Sequence, residues 1–323
     1  MADPGTRGLG LLAAVVARAA ERLVPLLPAA LDRPLALALG TIAYLAAPRS
    51  RRAVRANLAI IAPERRDREA IVRRTFITQA RNYLEIFRIP GLDFERLAAS
   101  VRLEGWDRFE CAHAKGRGVV IGSAHYGPVA LVGQIVLARG YELTLPVEST
   151  ESELGRALNR ARGGKGLHIV PVGSAHTIFR QLRRGGVLGF LADRAVTGVG
   201  ERVPFFGREA LLPSAHVALA LRTGAALVPG FAWRDGEQLA ATMEPPIELV
   251  RTDDHQADVR EGVRRFAAAL EPYIRRAPEQ WTVFEPVWDR EERGKARGSE
   301  RARRASRSAS SAPRAQPEID RER

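Results

Sequence analysis

An α/β fold, with a central and mostly parallel sheet flanked by helices, is predicted by two features of this chain. Short apolar runs of strand type alternate with helix-period runs from residue 119 to residue 233, the pattern of strands joined by helical crossovers. Val119-Val120-Ile121 is apolar at consecutive positions, and a helical pattern through Val129, Leu131, Val132, Ile135 and Val136 begins shortly after it. With 323 residues the chain has length for one large or two small domains and ample material for a core.

Taken in order, residues 9–47 hold two apolar runs rich in Leu, Ala and Val, broken by Arg18, Glu21, Arg22, Pro25, Pro28, Asp32, Arg33 and Pro34. Neither reaches the roughly 18–20 uninterrupted apolar residues of a bilayer span. The second, LALALGTIAYLAAP (35–48), is a helix in length and meets Arg49, Arg51, Arg52 and Arg55. An apolar helix ending in arginines suits a membrane surface, with guanidinium groups at phosphate level; the alternative is an amphipathic hairpin packed on the protein's own core. The run lacks the basic start and A-x-A-like site of a cleavable signal. Residues 1–50 are therefore expected to be a helical membrane-associating segment, and 51–289 the α/β domain.

From Arg51 to about Phe87, Val54, Leu58, Ile61, Ile71, Phe76, Tyr83, Leu84 and Phe87 recur at helical spacing, with Pro63 dividing two helices. VRLEGWDRF is expected to be a strand and turn, followed by a helix through Cys111 and Ala114 and the strand leading to His125. Then come a helix (129–138), a strand (143–147), a helix (151–162), a strand (167–172) and a helix (175–184). A strand (187–191), a loop, a helix (213–222) and a strand (226–233) complete the pattern. From about residue 290 the sequence is charged and small, with too little apolar surface to offset ordering, so 290–323 is expected to be a disordered basic tail.

Composition narrows the function. A 46% hydrophobic fraction with 27% charged residues describes a soluble or peripherally attached globular protein. The single cysteine, Cys111, rules out an internal disulfide and is expected to be a small buried side chain. Six histidines are scattered without a CxxC or HExxH grouping, so no metal and no cofactor is expected. A formal net charge of +13 predicts anionic partners, lipid phosphates among them. Nucleic acid is disfavoured, because basic residues are spread along the chain and aromatic residues do not interleave with them.

His125 carries the chemistry. It lies at the carboxyl end of a predicted strand, where open α/β sheets bind ligands. An imidazole held there can take a proton from a hydroxyl; the alternative is a polar loop residue. A second constellation spans 188–231. Asp193-Arg194 ends a strand, a Gly-rich loop follows, and Val203-Pro204-Phe205-Phe206-Gly207 precedes the helix at Pro213-Ser214. Arg194, Arg202 and Arg208 could grip phosphate bidentately, or simply form a solvated face.

The order of these pieces resembles the bacterial lipid A biosynthesis (lauroyl/myristoyl) acyltransferases and the related phosphatidylinositol mannoside acyltransferases. Four segments carry the likeness: SAHYGP around His125, the ADR to VPFFGREALLP run, LALRTGAALVPGF (219–231) and PEQWTVFEPVW (278–288). RANLAIIAPE before them is similar to the family's NL-containing segment, and the likeness covers about residues 35–288. The resemblance implies a glycerolipid acyltransferase-like fold attached to the cytoplasmic face of the inner membrane. It also implies transfer of a fatty acyl group from acyl carrier protein or coenzyme A to a hydroxyl of a glycolipid, such as a lipid A precursor, or of a phospholipid. His125 would be the general base. Tyr126 and Gly127 would line the substrate site, with backbone N–H groups near Gly127 or at the helix start facing the oxyanion. Arg194, Arg202 and Arg208 would hold phosphates, and Phe205 and Phe206 would border an acyl groove. The oligomeric state is left open.

One position departs from the family. An acid normally follows the histidine by five residues, in an HX4D/E box, to orient the imidazole; here that residue is Ala130. Glu201, Glu148 and Asp193 are the candidate substitutes, the last also a candidate substrate-site residue. The alternative is a lipid-binding homologue with impaired catalysis.

Overall fold

A computed structural model of the chain describes residues 14–15, 17–147, 152–163, 166–195 and 198–288. The expected tail and the candidate acid Glu148 lie outside them. After helical turns between residues 17 and 31, three helices precede the sheet: α1 (Asp32–Ala46), α2 (Pro48–Ile61) and α3 (Arg68–Arg88). The break between α2 and α3 falls at Pro63, as the spacing predicts. α1 buries Asp32, Ala36 and Gly40, a stripe at four-residue spacing. Its small residues allow close packing on α3, since a Cβ added at Gly40 would stand 2.5 Å from Ile77 Cα. Arg88 of α3 binds Asp32 at 2.6 Å and fixes the start of α1. The outward side of α1 exposes Leu37, Leu39, Ile42 and Leu45.

Beyond a short helix α4 (Phe94–Ser100), strand β1 (Val101–Glu104) and helix α5 (Trp106–His113) lead to β2 (Val119–Ser123), whose five residues are all buried. Cys111, expected to be buried, is exposed on α5, because Phe109 and Ala112 take that helix's inner face. The helix predicted over 129–138 divides at Gly133, the weakest helix former in the run, into α6 (Val129–Val132) and α7 (Gln134–Ala138). β3 (Leu143–Val147), α8 (Glu153–Arg162), β4 (Leu167–Pro171), α9 (Ala175–Arg183) and β5 (Val187–Leu191) follow the predicted alternation.

The expected loop before residue 213 instead forms a hairpin, β6 (Glu201–Phe205) with β7 (Arg208–Leu212). Its turn residues Phe206 and Gly207 both have positive φ, 52° and 71°, the geometry of a two-residue hairpin turn. Helix α10 (Ala215–Thr223) and β8 (Ala226–Asp235) come next. Two elements without a sequence expectation complete the fold, β9 (Gln238–Met243) and α11 (His255–Arg276).

The seven-stranded sheet has the order β1-β9-β8-β2-β5-β3-β4 and is parallel except where β8 meets β9. Each face carries its own core. Val120, Leu188 and Leu227 point one way, toward α2, α9, α10 and α11. Val119, Ile121, Val187 and Val228 point the other, toward Trp106 and Phe109 of α5 and Val136 of α7. Side chains alternate across a strand, so continuous apolar runs are what a sheet covered on both faces requires.

Candidate active site

The register of the sheet builds the site. β2 and β5 pair in parallel from Val119 opposite Val187 to Ser123 opposite Leu191, and Ala192 extends the ladder by donating to Ser123 O at 2.8 Å. Two residues beyond the last pair, both chains leave the sheet at the same level, one at His125 and the other at Asp193. His125 Nδ1 lies 2.8 Å from Asp193 Oδ1, and the His125 backbone N–H donates to Asp193 Oδ2 at 3.0 Å. The indole N–H of Trp281 donates to the same Oδ2 at 2.8 Å.

Asp193 is wholly buried, whereas the His125 side chain keeps 27% of its surface exposed. Burial alone would push the Asp193 carboxyl up; the charge of His125 and the hydrogen bonds from His125 and Trp281 outweigh it and hold the group below the usual carboxylate range. The acid is therefore ionised and accepts the Nδ1 proton, which fixes the tautomer. Nε2, without a partner among the described residues, is then the ring nitrogen that can accept a proton.

The histidine loop is fastened on every side. His125 O accepts from Thr282 N at 2.8 Å, Gly127 N donates to Gln280 O at 2.9 Å, and Gly127 O accepts from Asn82 Nδ2 at 3.0 Å. Tyr126 and Trp281 form an antiparallel bridge between these bonds, so Gln280–Thr282 lies along the loop like an added strand. On its other side, the Gln280 amide exchanges two hydrogen bonds with the Arg234 backbone of β8. Gly127 has φ 58°, and a Cβ there would stand 2.3 Å from Ala232 O, so only glycine fits.

The predicted site residues are brought together only in part. Asp193, not Glu201, meets the His125 ring; Glu201 opens β6 and turns its carboxylate to Arg260 at 3.3 Å. Gly127 cannot supply an oxyanion donor, because its N–H is given to Gln280. Tyr126 is 1% exposed and packs toward Tyr273, which closes its side chain to a substrate. Phe205 is a core residue stacked on Trp288 at 5.6 Å, not the wall of an open groove. Phe206 sits at the hairpin tip, its N–H donating to Glu271 at 2.6 Å and its ring under the Arg275 guanidinium. Arg194 pairs with Glu285 at 2.8 Å, while Arg202 and Arg208 are exposed on the hairpin. Arg208 borders a cleft of about 170 Å³ lined by Ala56, Asn57, Ala59, Ile60, Pro286 and Trp288, which His125 does not line. Among the described residues no three His, Cys, Asp or Glu side chains converge as metal ligands would.

Ala130, where the family acid would stand, packs in an apolar cluster with Tyr83, Leu131, Leu154 and Ala157. An acid there would face hydrocarbon. The sequence assigns no role to Trp281, although it lies in the PEQW segment; nothing there links it to a residue 88 positions earlier.

The chain is 26% identical over 224 residues to a phosphatidylinositol mannoside acyltransferase of Mycolicibacterium smegmatis, covering 68% of this chain and 72% of that one. It is likewise 26% identical over 216 residues to the phosphatidylinositol mannoside acyltransferase of Mycobacterium tuberculosis, covering 64% and 67%. The profile of the bacterial lipid A biosynthesis acyltransferases matches residues 10–290, so that an imidazole at the end of the second strand, a buried carboxylate at the end of the fifth and the apolar first helix all fall within it: the chain belongs to that family of acyltransferases.

Proposed function

We propose that the protein transfers a fatty acyl group from a thioester, on acyl carrier protein or coenzyme A, to a hydroxyl of a membrane glycolipid of the lipid A-precursor or mannosylated inositol lipid kind. His125 is the general base and Asp193 its orienting acid. The observation that carries the reading is the 2.8 Å contact between His125 Nδ1 and a buried, ionised Asp193.

With Nδ1–H committed to Asp193, Nε2 removes the proton of the acceptor hydroxyl. The oxygen attacks the thioester carbonyl, and the new C–O bond forms as the carbonyl π pair moves onto oxygen. Collapse of the tetrahedral species breaks the C–S bond. The imidazolium, steadied by the Asp193 charge, returns the proton to the departing thiolate, leaving ester, free thiol and neutral histidine. The impaired-homologue alternative rested on Ala130, and an acid supplied by Asp193 removes its motive.

In this reading the reaction takes place at the cytoplasmic face of the inner membrane, with α1 lying on the bilayer. Leu37, Leu39, Ile42 and Leu45 of α1 are exposed together with Leu23, Leu26 and Leu31, and the exposed Arg49 and Arg52 follow directly. Residues 29–46 are long and apolar enough to cross a membrane. Their packing on α3 through Ala36 and Gly40 favours an in-plane anchor instead. Arg202 and Arg208 remain the candidate phosphate contacts of donor or acceptor.

Mass spectrometry of lipids from cells with and without the gene tests the reading. One lipid class short of a single acyl chain in the deletion strain is expected, and its restoration by the gene identifies acceptor and product. Identical lipid profiles would reject it.

A further inference from the structure

A buried carboxylate is tolerable only where donors surround it. Asp193 has three: the backbone N–H of His125, the His125 ring and the Trp281 indole N–H. The first two belong to the residue it serves. The third arrives from the far end of the chain and takes Oδ2, the oxygen already engaged by the His125 backbone. With Oδ2 occupied from two sides, Oδ1 alone is left for the imidazole.

Trp281 is itself held in place. Gln280 and Thr282 on either side bond to Gly127 and His125. Downstream, the chain is clamped by Asn57, a buried polar residue on the inner face of α2. Its Nδ2 donates to Glu285 O at 2.8 Å and to Val283 O at 3.4 Å, and its Oδ1 accepts from Val287 N at 3.1 Å. A polar side chain on a buried helix face is costly unless bonded, and among the described residues this one is bonded to that segment alone.

We propose that Trp281 is a positioning residue. Its indole N–H fixes which oxygen of Asp193 faces His125, and thereby the tautomer and aim of the imidazole, while Asn57 holds the segment that carries it. The kinetic consequence rests on acyl transfer being the reaction; the spectroscopic one does not.

The test replaces Trp281 with Phe and, separately, with benzothienylalanine, which keeps the fused rings and lacks only the N–H. In both variants kcat is expected to fall about tenfold or more, the scale of one hydrogen bond to a charged group, with KM for donor and acceptor unchanged. Combining Trp281→Phe with Asp193→Asn should cost less than the product of the separate losses, because both act through one carboxylate. Nitrogen-15 NMR of the side chain, assigned by the signal lost in His125→Gln, should show a single Nδ1–H tautomer in the wild type and a mixture in either Trp281 variant. If the wild type transfers no acyl group but the variants still lose that tautomer preference, acyl transfer falls and the positioning role stands. A benzothienylalanine variant with wild-type kcat, or an unchanged tautomer once the N–H is gone, overturns the proposal.

Discussion

Ser123 and Leu191 face each other as the last paired residues of β2 and β5, and that pairing is what sets His125 beside Asp193. The contact between them is thus a product of strand register rather than of a local helical box. Asp193→Asn keeps the shape of the side chain but removes its charge and confuses the tautomer of the ring. It should lower kcat by about three to four orders of magnitude, the scale seen when an orienting carboxylate is lost. His125→Ala should be no worse than the two changes combined, since the pair acts as a unit. Steady-state acyl transfer from a thioester checks both, and a Glu201→Gln loss as large as that of Asp193→Asn would reassign the acid.

His216 offers a pH signature unrelated to catalysis. Its imidazole is fully buried against Phe266, neither ring nitrogen has a hydrogen-bond partner among the described residues, and burial lowers its pKa from 6.5 to about 3. The unfolded chain therefore takes up a proton near pH 6.5 that the folded chain refuses until about pH 3, so stability falls as pH drops through that window. His216→Leu removes the group. Thermal unfolding between pH 7 and pH 4, about the span in question, should show a flatter pH dependence for the variant; parallel curves would contradict the burial argument.

Gly127→Ala should damage both fold and rate. The left-handed φ of 58° and the 2.3 Å approach to Ala232 O leave no room for a methyl group. A strained backbone of this kind costs about 1–3 kcal/mol, and relief of the strain would displace His125. Denaturant unfolding and kcat are expected to drop together, and an active, fully stable variant would show that the loop can shift without consequence.

The outward face of α1 should be separable from the chemistry. Ile42→Glu with Leu45→Glu places two charges where the surface is apolar and both side chains are exposed. Flotation with anionic vesicles should weaken while thermal stability stays within about 0.5 kcal/mol of the wild type. Undiminished flotation would move the attachment to another face.

Much of the architecture was legible in the sequence because the signals were local. Strand runs such as Val119–Ile121 and Val187–Leu191, and helices such as α2 and α3 on either side of Pro63, follow from short-range periodicity. The hairpin of β6 and β7 was hidden because its turn places Phe206, not an Asn or Asp, at positive φ. The role of Asp193 was only half visible, since ADR looks like any strand end and the register that brings it to His125 is not written in spacing. Glu201 fitted the expected location of a substitute acid and bonds Arg260 instead. Trp281 and Asn57 lie in segments that show only the family likeness, because their partners stand 88 and more than 200 positions away in sequence.

The strip Gln280–Thr282 comes late in the sequence, yet it is laid directly along the loop that carries His125. A nascent polypeptide whose earlier strands have already folded would still carry a loosely aimed imidazole and a carboxylate short of one donor. The indole donor to Asp193 and the backbone bonds that hold the histidine loop would be complete only once the segment around Trp281 has left the ribosome and docked.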